Sequence, residues 1–193
     1  MKTVVITGAA GLLGSHLSRH LLGLGFKVVG IDNLSGGYAE YMPTDNINFE
    51  FWPLDLAKKE SAPSIEHIFI DPRRDICACF HFAAYAAEGL SPFIRHFNYE
   101  NNVLASMNMI NICINSNVKL IFTSSMAVYG NHLPPYTEDM APAPVDPYGI
   151  AKLTVEQDIK VASQQHGLKY TIVRPHNVVG IYQNIWDKYR NVA

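Results

Sequence analysis

The chain has 193 residues, a formal net charge of −2 and a hydrophobic fraction of 48%. This length and apolar content are typical of one globular domain with a sizeable core. Because the charge is near zero and no run of basic residues occurs, we expect neither nucleic acid nor an anionic membrane surface as a partner.

Cysteine usage and the absence of long apolar runs bear on the compartment. The three cysteines are an odd number, and Cys77 and Cys79 are too close for a Cys-x-x-Cys site. Buried thiols in a reducing cytosol are therefore favoured over a disulfide framework. No apolar run approaches the ~18 residues of a membrane-spanning helix, and the N-terminus does not resemble a signal peptide. The cysteine usage therefore favours a cytoplasmic protein. No cluster of His, Cys and Asp has metal-ligand spacing, so we expect no metal site.

The first predicted element is a short strand that ends in a glycine-rich turn. A β-branched run at residues 4–7 meets glycines at 8, 11 and 14, and an apolar helical pattern follows. In such a unit Gly8 allows the sharp turn, Gly11 lets a pyrophosphate approach the backbone, and Gly14 lets the helix pack close to the strand. Free N–H groups at the helix N-terminus suit a phosphate. The pattern therefore predicts a dinucleotide site.

A second predicted strand, at residues 27–31, ends in Asp32. This residue follows Gly14 by 18 positions, near the spacing of a carboxylate that binds the hydroxyls of the adenosine ribose. The 2′-phosphate of NADP would lie beside the Asp32 carboxylate, with no nearby guanidinium to bind it, because no arginine lies between Arg19 and Arg73. The sequence therefore predicts NAD rather than NADP. The loop expected to wrap the adenosine end contains Asn33, Ser35 and Gly36.

Alternation at residues 47–52 predicts a third strand, which leads to Asp55 and Leu56. A carboxylate here can hold the adenine amino group, but Asp is equally common as a helix N-cap, and the sequence leaves both interpretations open. Residues 57–75 are polar, contain two prolines and predict a short helix with irregular ends.

The apolar run at residues 76–84 predicts a buried parallel strand. It ends in Ala83 and Ala84, so a cofactor can pass close to the backbone there. We interpret His81, within this run, as a buried core histidine rather than a catalyst.

The remaining predicted elements alternate between helix and strand. They are a helix at 92–113, a strand at 118–123 followed by Ser124 and Ser125, a helix at 148–166, and a strand at 168–174 followed by Asn177. Six strands alternating with helices predict an α/β protein with a doubly wound parallel sheet, a Rossmann fold of strand order 3-2-1-4-5-6. Function is expected at the C-terminal ends of the strands, where Asp32, Asp55, Ser125 and Asn177 fall.

Tyr148 and Lys152 are four residues apart on a predicted helix, so their side chains share one face. A phenol with a pKa of about 10 is a poor base at neutral pH. A nearby ammonium stabilises the phenolate and lowers that pKa. Because the pair follows the serine-tipped fifth strand of a dinucleotide-binding sheet, its position favours catalysis over a solvated helix face.

Motifs along nearly the whole chain resemble the extended short-chain dehydrogenase/reductase family, the NAD-dependent nucleotide-sugar epimerases and dehydratases. The matching segments occur in family order at 7–14, 32–33, 55–56, 81–84, 101–103, 124–130, 147–152 and 174–177. The resemblance implies NAD as cofactor, a nucleotide sugar as substrate, and a homodimer paired through the helices near 92–116 and 148–166.

The same resemblance implies roles for individual residues. Tyr148 would take the proton of the sugar hydroxyl, Lys152 would bind the nicotinamide ribose and lower the tyrosine pKa, and Ser125 would hydrogen-bond the reacting oxygen. Asn177 would contact the phosphates of the nucleotide sugar, and Asn101 would support the cofactor side of the pocket. Further residues implied to contact the cofactor are Leu12, Leu13, Phe82, Ala83, Ala84, Thr123 and Pro175.

Within the family, the pattern is most similar to the 4-epimerases of the UDP-glucose and UDP-galactose type. The dehydratases carry Asp-Glu where this chain has Met126 and Ala127, and the decarboxylases carry a glutamate at the position of Ala127. Elimination needs an acid and a base beside the sugar, which Met126 and Ala127 do not supply. Oxidation and re-reduction at C4, through a 4-keto sugar, needs only Tyr148, Ser125 and NAD.

The chain departs from the family in its length. Family members continue past the Arg-Pro-His-Asn segment into a C-terminal domain that closes over the sugar nucleotide, whereas this chain has 193 residues. We therefore expect a NAD-binding domain at 1–180 and the start of a truncated substrate region at 181–193. The alternatives are a non-catalytic NAD-binding module and a nucleotide-sugar dehydratase or decarboxylase of the same family.

Overall fold

One parallel sheet organises the fold, as the alternation of strands and helices predicts. The structure, a computed structural model, describes residues 1–183. The strands lie in the order β3-β2-β1-β4-β5-β6 and pair in parallel throughout, which confirms the predicted Rossmann topology. They are β1 (Thr3–Thr7), β2 (Lys27–Asp32), β3 (Phe49–Pro53), β4 (Ile76–His81), β5 (Lys119–Thr123) and β6 (Tyr170–Val173).

Five α-helices connect the strands within the described part of the chain. They are α1 (Leu12–Gly23), α2 (Ala62–Ile70), α3 (Arg95–Tyr99), α4 (Ala105–Asn115) and α5 (Pro147–His166). The long helix expected at 92–113 consists of α3 and α4 joined by a π-helical segment, Glu100–Leu104. It begins at Arg95 rather than at Pro92, because a 3₁₀ turn at 88–90 and a further turn at 91–93 come first. Such π-helical segments often occur at functional sites.

The sheet is covered on both faces, which is why its central strands read as nearly continuous apolar runs. All five residues of β1 are buried. Val5 points to the face that packs against α2, α4 and α5, and Val4 and Ile6 point to the face covered by α1. The C-terminal ends of the strands, together with the turns that follow them, are left to form one edge.

Local signals explain where α5 begins and ends. Asp146 caps it, since its Oδ1 accepts a hydrogen bond of 2.9 Å from the Gly149 N–H, and Pro147 occupies the first turn. Gly167 ends the helix at a φ of +70°. These signals fix the register of Tyr148 and Lys152 relative to the sheet.

Two further expectations concern the membrane and the division of the chain. Within residues 1–183, no helix has the length and apolar character required to cross a bilayer. The predicted boundary between domains at 1–180 and 181–193 stays a prediction, since residues 184–193 lie outside the described part.

Candidate functional site

A cavity of about 290 Å³ runs along the C-terminal edge of the sheet. Its volume is near the lower end of the range usual for ligand pockets. The structure brings every site residue predicted from the sequence to this cavity. These residues are Gly8, Gly11, Leu12, Leu13, Gly14, Asp32, Asn33, Ser35, Gly36, Asp55, Leu56, Phe82, Ala83, Ala84, Asn101, Thr123, Ser125, Tyr148, Lys152, Pro175 and Asn177.

The glycine-rich turn has the geometry of an anion site. Gly8 adopts a φ of +71°, and a Cβ there would lie 2.7 Å from the backbone nitrogen of Ala83. A Cβ on Gly14 would lie 2.1 Å from the carbonyl oxygen of Gly8, so only glycine allows α1 to pack this closely. Gly11 is the N-cap of α1 and supplies no side-chain cap, and the first turn of the helix contains no acidic residue. The N–H groups of that turn are thus available to a phosphate.

Asp32 lies at the tip of β2 and is held by the backbone. Its Oδ2 accepts a hydrogen bond of 3.0 Å from the Ala10 N–H, and its Oδ1 accepts one of 2.7 Å from the Leu34 N–H. The loop that follows folds back onto the phosphate turn, where a Cβ on Gly37 would lie 2.5 Å from the Ala10 carbonyl oxygen. Gly37 lies in the loop predicted to wrap the adenosine end, although it was not among the predicted cofactor contacts.

The structure excludes one of the two interpretations of Asp55. Its Oδ1 accepts a hydrogen bond of 2.9 Å from the Ala57 N–H, which is a local turn. Because α2 starts only at Ala62, the N-cap interpretation is wrong. Asp55 and Leu56 remain part of the cavity wall.

An aromatic cluster closes the rim of the cavity near α1. The Tyr182 ring lies 5.0 Å from that of Tyr41 and 5.2 Å from that of His16. The Arg19 guanidinium lies 5.3 Å from the centre of the Tyr182 ring and donates a 3.1 Å hydrogen bond to the Tyr41 carbonyl. Arg19, which lies 13 residues before Asp32 in the sequence, is therefore close to this rim. The sequence spacing alone did not predict this proximity. Arg19 contacts two residues of the cavity wall but does not itself line the described cavity.

Tyr148 and Lys152 enter the cavity from the first turns of α5. Both are nearly inaccessible, with exposed fractions of 8% and 3%. The Lys152 Nζ donates a 2.8 Å hydrogen bond to the carbonyl of Thr123, at the end of β5. Ser125, two residues further on, accepts a 3.2 Å hydrogen bond at Oγ from the Ala127 N–H and lines the same space. The three residues that the family resemblance implies in catalysis thus converge.

Burial dominates the electrostatics of this group. It raises the pKa of Tyr148 to about 12, and the carboxylates of Glu88 and Asp146 act in the same direction, whereas hydrogen bonding with Ser125 opposes them. Burial also lowers the pKa of Lys152 to about 7, against an opposing effect of Glu156. The prediction that Lys152 lowers the tyrosine pKa is therefore not met by the protein groups alone, because burial of the phenol raises that pKa.

Glu88 is the most consequential residue that sequence reasoning missed. It lines the cavity from a 3₁₀ turn, Glu88–Leu90, and is half-buried. Burial, followed by the carboxylate of Asp146, raises its pKa. No spacing signal pointed to this residue, because it lies in an irregular segment after β4.

A buried ion pair supports the ends of β5 and β6. Glu156 is fully buried on α5 and accepts hydrogen bonds of 2.8 and 2.6 Å from the Arg174 guanidinium and one of 2.5 Å from the Ser124 hydroxyl. Ser124 and Arg174 directly precede Ser125 and Pro175. The pair therefore fixes the two strand ends that carry part of the cavity wall.

His81 and the three cysteines lie outside the cavity wall. His81 is 1% exposed, its ring nitrogens lie 2.7 Å from the Thr7 hydroxyl and 2.9 Å from that of Ser106, and burial lowers its pKa to about 3. This confirms a core histidine. All three cysteines are free. Residues 1–183 contain no group of three or more His, Cys, Asp or Glu residues placed to hold a metal ion.

Comparison with known proteins finds a matching family model and similar proteins over nearly the whole chain. The model of the NAD-dependent epimerase/dehydratase family matches residues 4–192. UDP-glucose 4-epimerase of Azospirillum brasilense is 35% identical over 179 residues, which are 92% of this chain and 49% of that protein. The chain spans about half the length of the curated relatives it matches.

Solved structures agree in fold. UDP-N-acetylglucosamine 4-epimerase from Methanobrevibacter ruminantium, in complex with UDP-N-acetylmuramic acid, superposes with a TM-score of 0.89 at 33% identity, over 99% of this chain and 60% of that one. UDP-glucose 4-epimerase of Thermus thermophilus, in complex with NAD, has a TM-score of 0.85 at 33% identity, over 94% of this chain and 57% of the other.

Proposed function

The chain belongs to the NAD-dependent epimerase/dehydratase family, and from this premise we propose that it is a nucleotide-sugar 4-epimerase of the UDP-glucose and UDP-galactose type, or the cofactor-binding half of one. The observation that carries the proposal is the convergence of Ser125, Tyr148 and Lys152 on the cavity that also contains the glycine turn. A module that only binds the cofactor has no chemical need for a buried tyrosine paired with a lysine.

The residues present fit NAD. The uncapped N-terminus of α1 suits the pyrophosphate. Side chains at Gly8 and Gly14 would collide with backbone atoms, so this tight turn requires glycine at both positions. Asp32 would accept hydrogen bonds from the adenosine ribose hydroxyls. Its charge would repel a 2′-phosphate, and the nearby guanidinium of Arg19 is already engaged by Tyr41 and Tyr182.

Each residue of the reacting group has a distinct task in this proposal. Tyr148 accepts the proton of the C4 hydroxyl, Ser125 hydrogen-bonds the same oxygen, and Lys152 binds the nicotinamide ribose. NAD⁺, when bound, supplies a hydride acceptor and a positive charge beside the phenol. Such a charge lowers the tyrosine pKa that burial raises to about 12.

Glu88 favours one alternative, a dehydratase. Dehydration needs a further acid or base beside the sugar, and Met126 and Ala127 supply none. Glu88 is a carboxyl group in the wall of the same cavity, with a pKa raised mainly by burial. The 4-epimerase remains the better-supported proposal, since the three relatives named above are all 4-epimerases.

Product analysis tests the proposal directly. The protein is incubated with NAD and UDP-glucose or UDP-galactose, and the products are examined by proton NMR and mass spectrometry. We expect inversion at C4 without a change of mass. Tyr148→Phe should lose ~10²–10⁴-fold in rate, whereas Tyr170→Phe, on β6 and outside the cavity wall, should keep full activity.

Each contrary result has a defined meaning. A product lighter by one water would establish a dehydratase and overturn the 4-epimerase. Binding of NAD without any turnover would exclude a complete 4-epimerase and leave either its cofactor-binding half or the non-catalytic module. Undiminished turnover by Tyr148→Phe would remove Tyr148 from the reaction.

The proposal includes a cytoplasmic homodimer. Large apolar side chains are exposed along the outer surfaces of the two helical regions that the family resemblance implies in pairing, namely Phe97, Leu104, Met107, Ile150 and Val161. A second copy would cover such a surface. Sedimentation at tens of micromolar should therefore show a dimer, and a monomer alone would count against this pairing.

A further inference from the structure

Three buried polar side chains lie behind the cavity wall, between β4 and the start of α5. They are Ser91, Asn98 and Asn102, with exposed fractions of 0%, 1% and 1%. None of the three is part of the wall itself. Burying an amide or a hydroxyl is unfavourable unless the group is hydrogen-bonded. The hydrogen-bond partners of these three side chains therefore indicate their role.

The two asparagines form a continuous hydrogen-bonded connection. The Asn102 amide pairs with both polar groups of the Tyr85 backbone: its Oδ1 accepts from the N–H at 2.8 Å and its Nδ2 donates to the carbonyl at 3.2 Å. The same Nδ2 donates to Asn98 Oδ1 at 2.8 Å. The Asn98 Nδ2 then donates to the Pro147 carbonyl at 3.0 Å. Tyr85 lines the cavity, and Pro147 directly precedes Tyr148, so the connection spans from the wall to the residue before the phenol.

Ser91 makes a second connection to the same helix turn. Its Oγ accepts a 3.2 Å hydrogen bond from the Tyr148 N–H and donates one of 2.7 Å to the Glu88 carbonyl. An N–H in the first turn of a helix has no intrahelical acceptor, so this hydroxyl satisfies a group that would otherwise be unpaired.

Resting on the proposed role of Tyr148, we propose that Ser91 and Asn98 are positioning residues that hold the first turn of α5 against the cavity wall and thereby set the burial of the Tyr148 phenol. They act on the backbone on each side of the phenol: Asn98 holds the carbonyl of Pro147 and Ser91 holds the N–H of Tyr148. Asn102 links the first of these contacts to the wall at Tyr85.

The proposal predicts a property of Tyr148 that a purely structural role would leave unchanged. Burial is the largest cause that raises the pKa of Tyr148 to about 12. If the first turn of α5 moves away from the wall, water reaches the phenol and the pKa falls toward its ordinary value. Neither Ser91 nor Asn98 carries a charge, so neither side chain produces this shift by direct Coulombic interaction.

The test follows the titration of Tyr148 in the chain itself. The ten tyrosines are replaced by 3-fluorotyrosine, which lowers every phenol pKa into a range where the folded protein can be titrated by ¹⁹F NMR. The Tyr148 signal is assigned with Tyr148→Phe. Asn98→Ala is compared with Asn111→Ala, a matched change at an exposed position on α4, and Ser91→Ala provides a milder second variant. Thermal unfolding is recorded for each.

We expect Asn98→Ala and Ser91→Ala each to raise the acidity constant of Tyr148 at least tenfold relative to the exposed tyrosines, and Asn111→Ala to leave it unchanged. An unchanged Tyr148 titration in folded Ser91→Ala or Asn98→Ala would overturn the proposal, whatever their melting temperatures. If Asn98→Ala does not fold, Ser91→Ala decides alone. The titration needs no turnover, so an inactive protein would contradict a complete 4-epimerase without affecting this result.

Discussion

Replacing Gly14 by alanine tests the proposed phosphate turn at its tightest point. A Cβ on Gly14 would lie 2.1 Å from the Gly8 carbonyl oxygen, 2.7 Å from the Ala9 Cα and 2.8 Å from the Gly8 carbonyl carbon. All three are backbone atoms, so no side chain can rotate away. Ordinary contact begins near 3.4 Å, and α1 must therefore retreat from β1 by about 1 Å or more.

The expected cost follows from that displacement. Overpacking of a core typically costs about 1–3 kcal/mol, and a backbone obstacle places Gly14→Ala near the upper limit. For a chain of this size, such a loss lowers the melting temperature by roughly 6–12 °C. The same retreat lengthens the hydrogen bonds that the first turn of α1 would donate to a pyrophosphate. Losing one bond to a charged group weakens affinity by roughly tenfold or more.

Gly23→Ala is the matched control, because Gly23 is the last residue of the same helix, is exposed, and has open space within 4 Å of the position that a methyl group would take. It should leave NAD affinity unchanged and stabilise the protein by at most about 1 kcal/mol. Calorimetric NAD titration and thermal unfolding of both variants provide the comparison. If Gly14→Ala binds NAD like the parent chain and melts within about 1 °C of it, the reasoning fails.

Three further predictions concern Asp32, Glu156 and Lys152. Asp32→Ala should weaken NAD binding by roughly tenfold or more and reduce the difference between the affinities for NAD and NADP, both measured by calorimetry. Equal affinities of the parent chain for NAD and NADP would contradict this prediction. Glu156→Ala should lower the free energy of unfolding in urea by about 3–5 kcal/mol, since it leaves the Arg174 charge without its partner. Burial lowers the pKa of Lys152 to about 7 from 10.5. Between these values the unfolded chain binds more protons, so stability should rise with pH, and Lys152→Met should abolish that rise.

The sheet and the phosphate turn could be predicted because both leave strong local patterns. Buried parallel strands read as short apolar runs, and the turn after β1 requires glycine at fixed positions for steric reasons. The observed contacts at Gly8 and Gly14 are with backbone atoms, which is the reason the pattern is strict. The strand ends were less exact. The observed β3, β4 and β6 are Phe49–Pro53, Ile76–His81 and Tyr170–Val173, against predictions of 47–52, 76–84 and 168–174.

Features that depend on tertiary packing were beyond the reach of the sequence. Glu88 comes from an irregular turn, and Arg19 and Tyr182 come together from segments more than 160 residues apart. Spacing rules placed Tyr148 and Lys152 on one helix face but contained no measure of desolvation. The sign of the Tyr148 pKa shift is therefore opposite to the expectation from a neighbouring ammonium.

The most direct measurement of the central claim is the fate of deuterium at C4. UDP-glucose deuterated at C4 is converted by the protein in ordinary water with NAD, and the UDP-galactose formed is examined by NMR and mass spectrometry. We expect the product to retain deuterium at C4, because the hydrogen removed from that carbon is the one returned to it. Replacement of the deuterium by hydrogen from the solvent, or a product lighter by one water, would contradict the proposed 4-epimerisation.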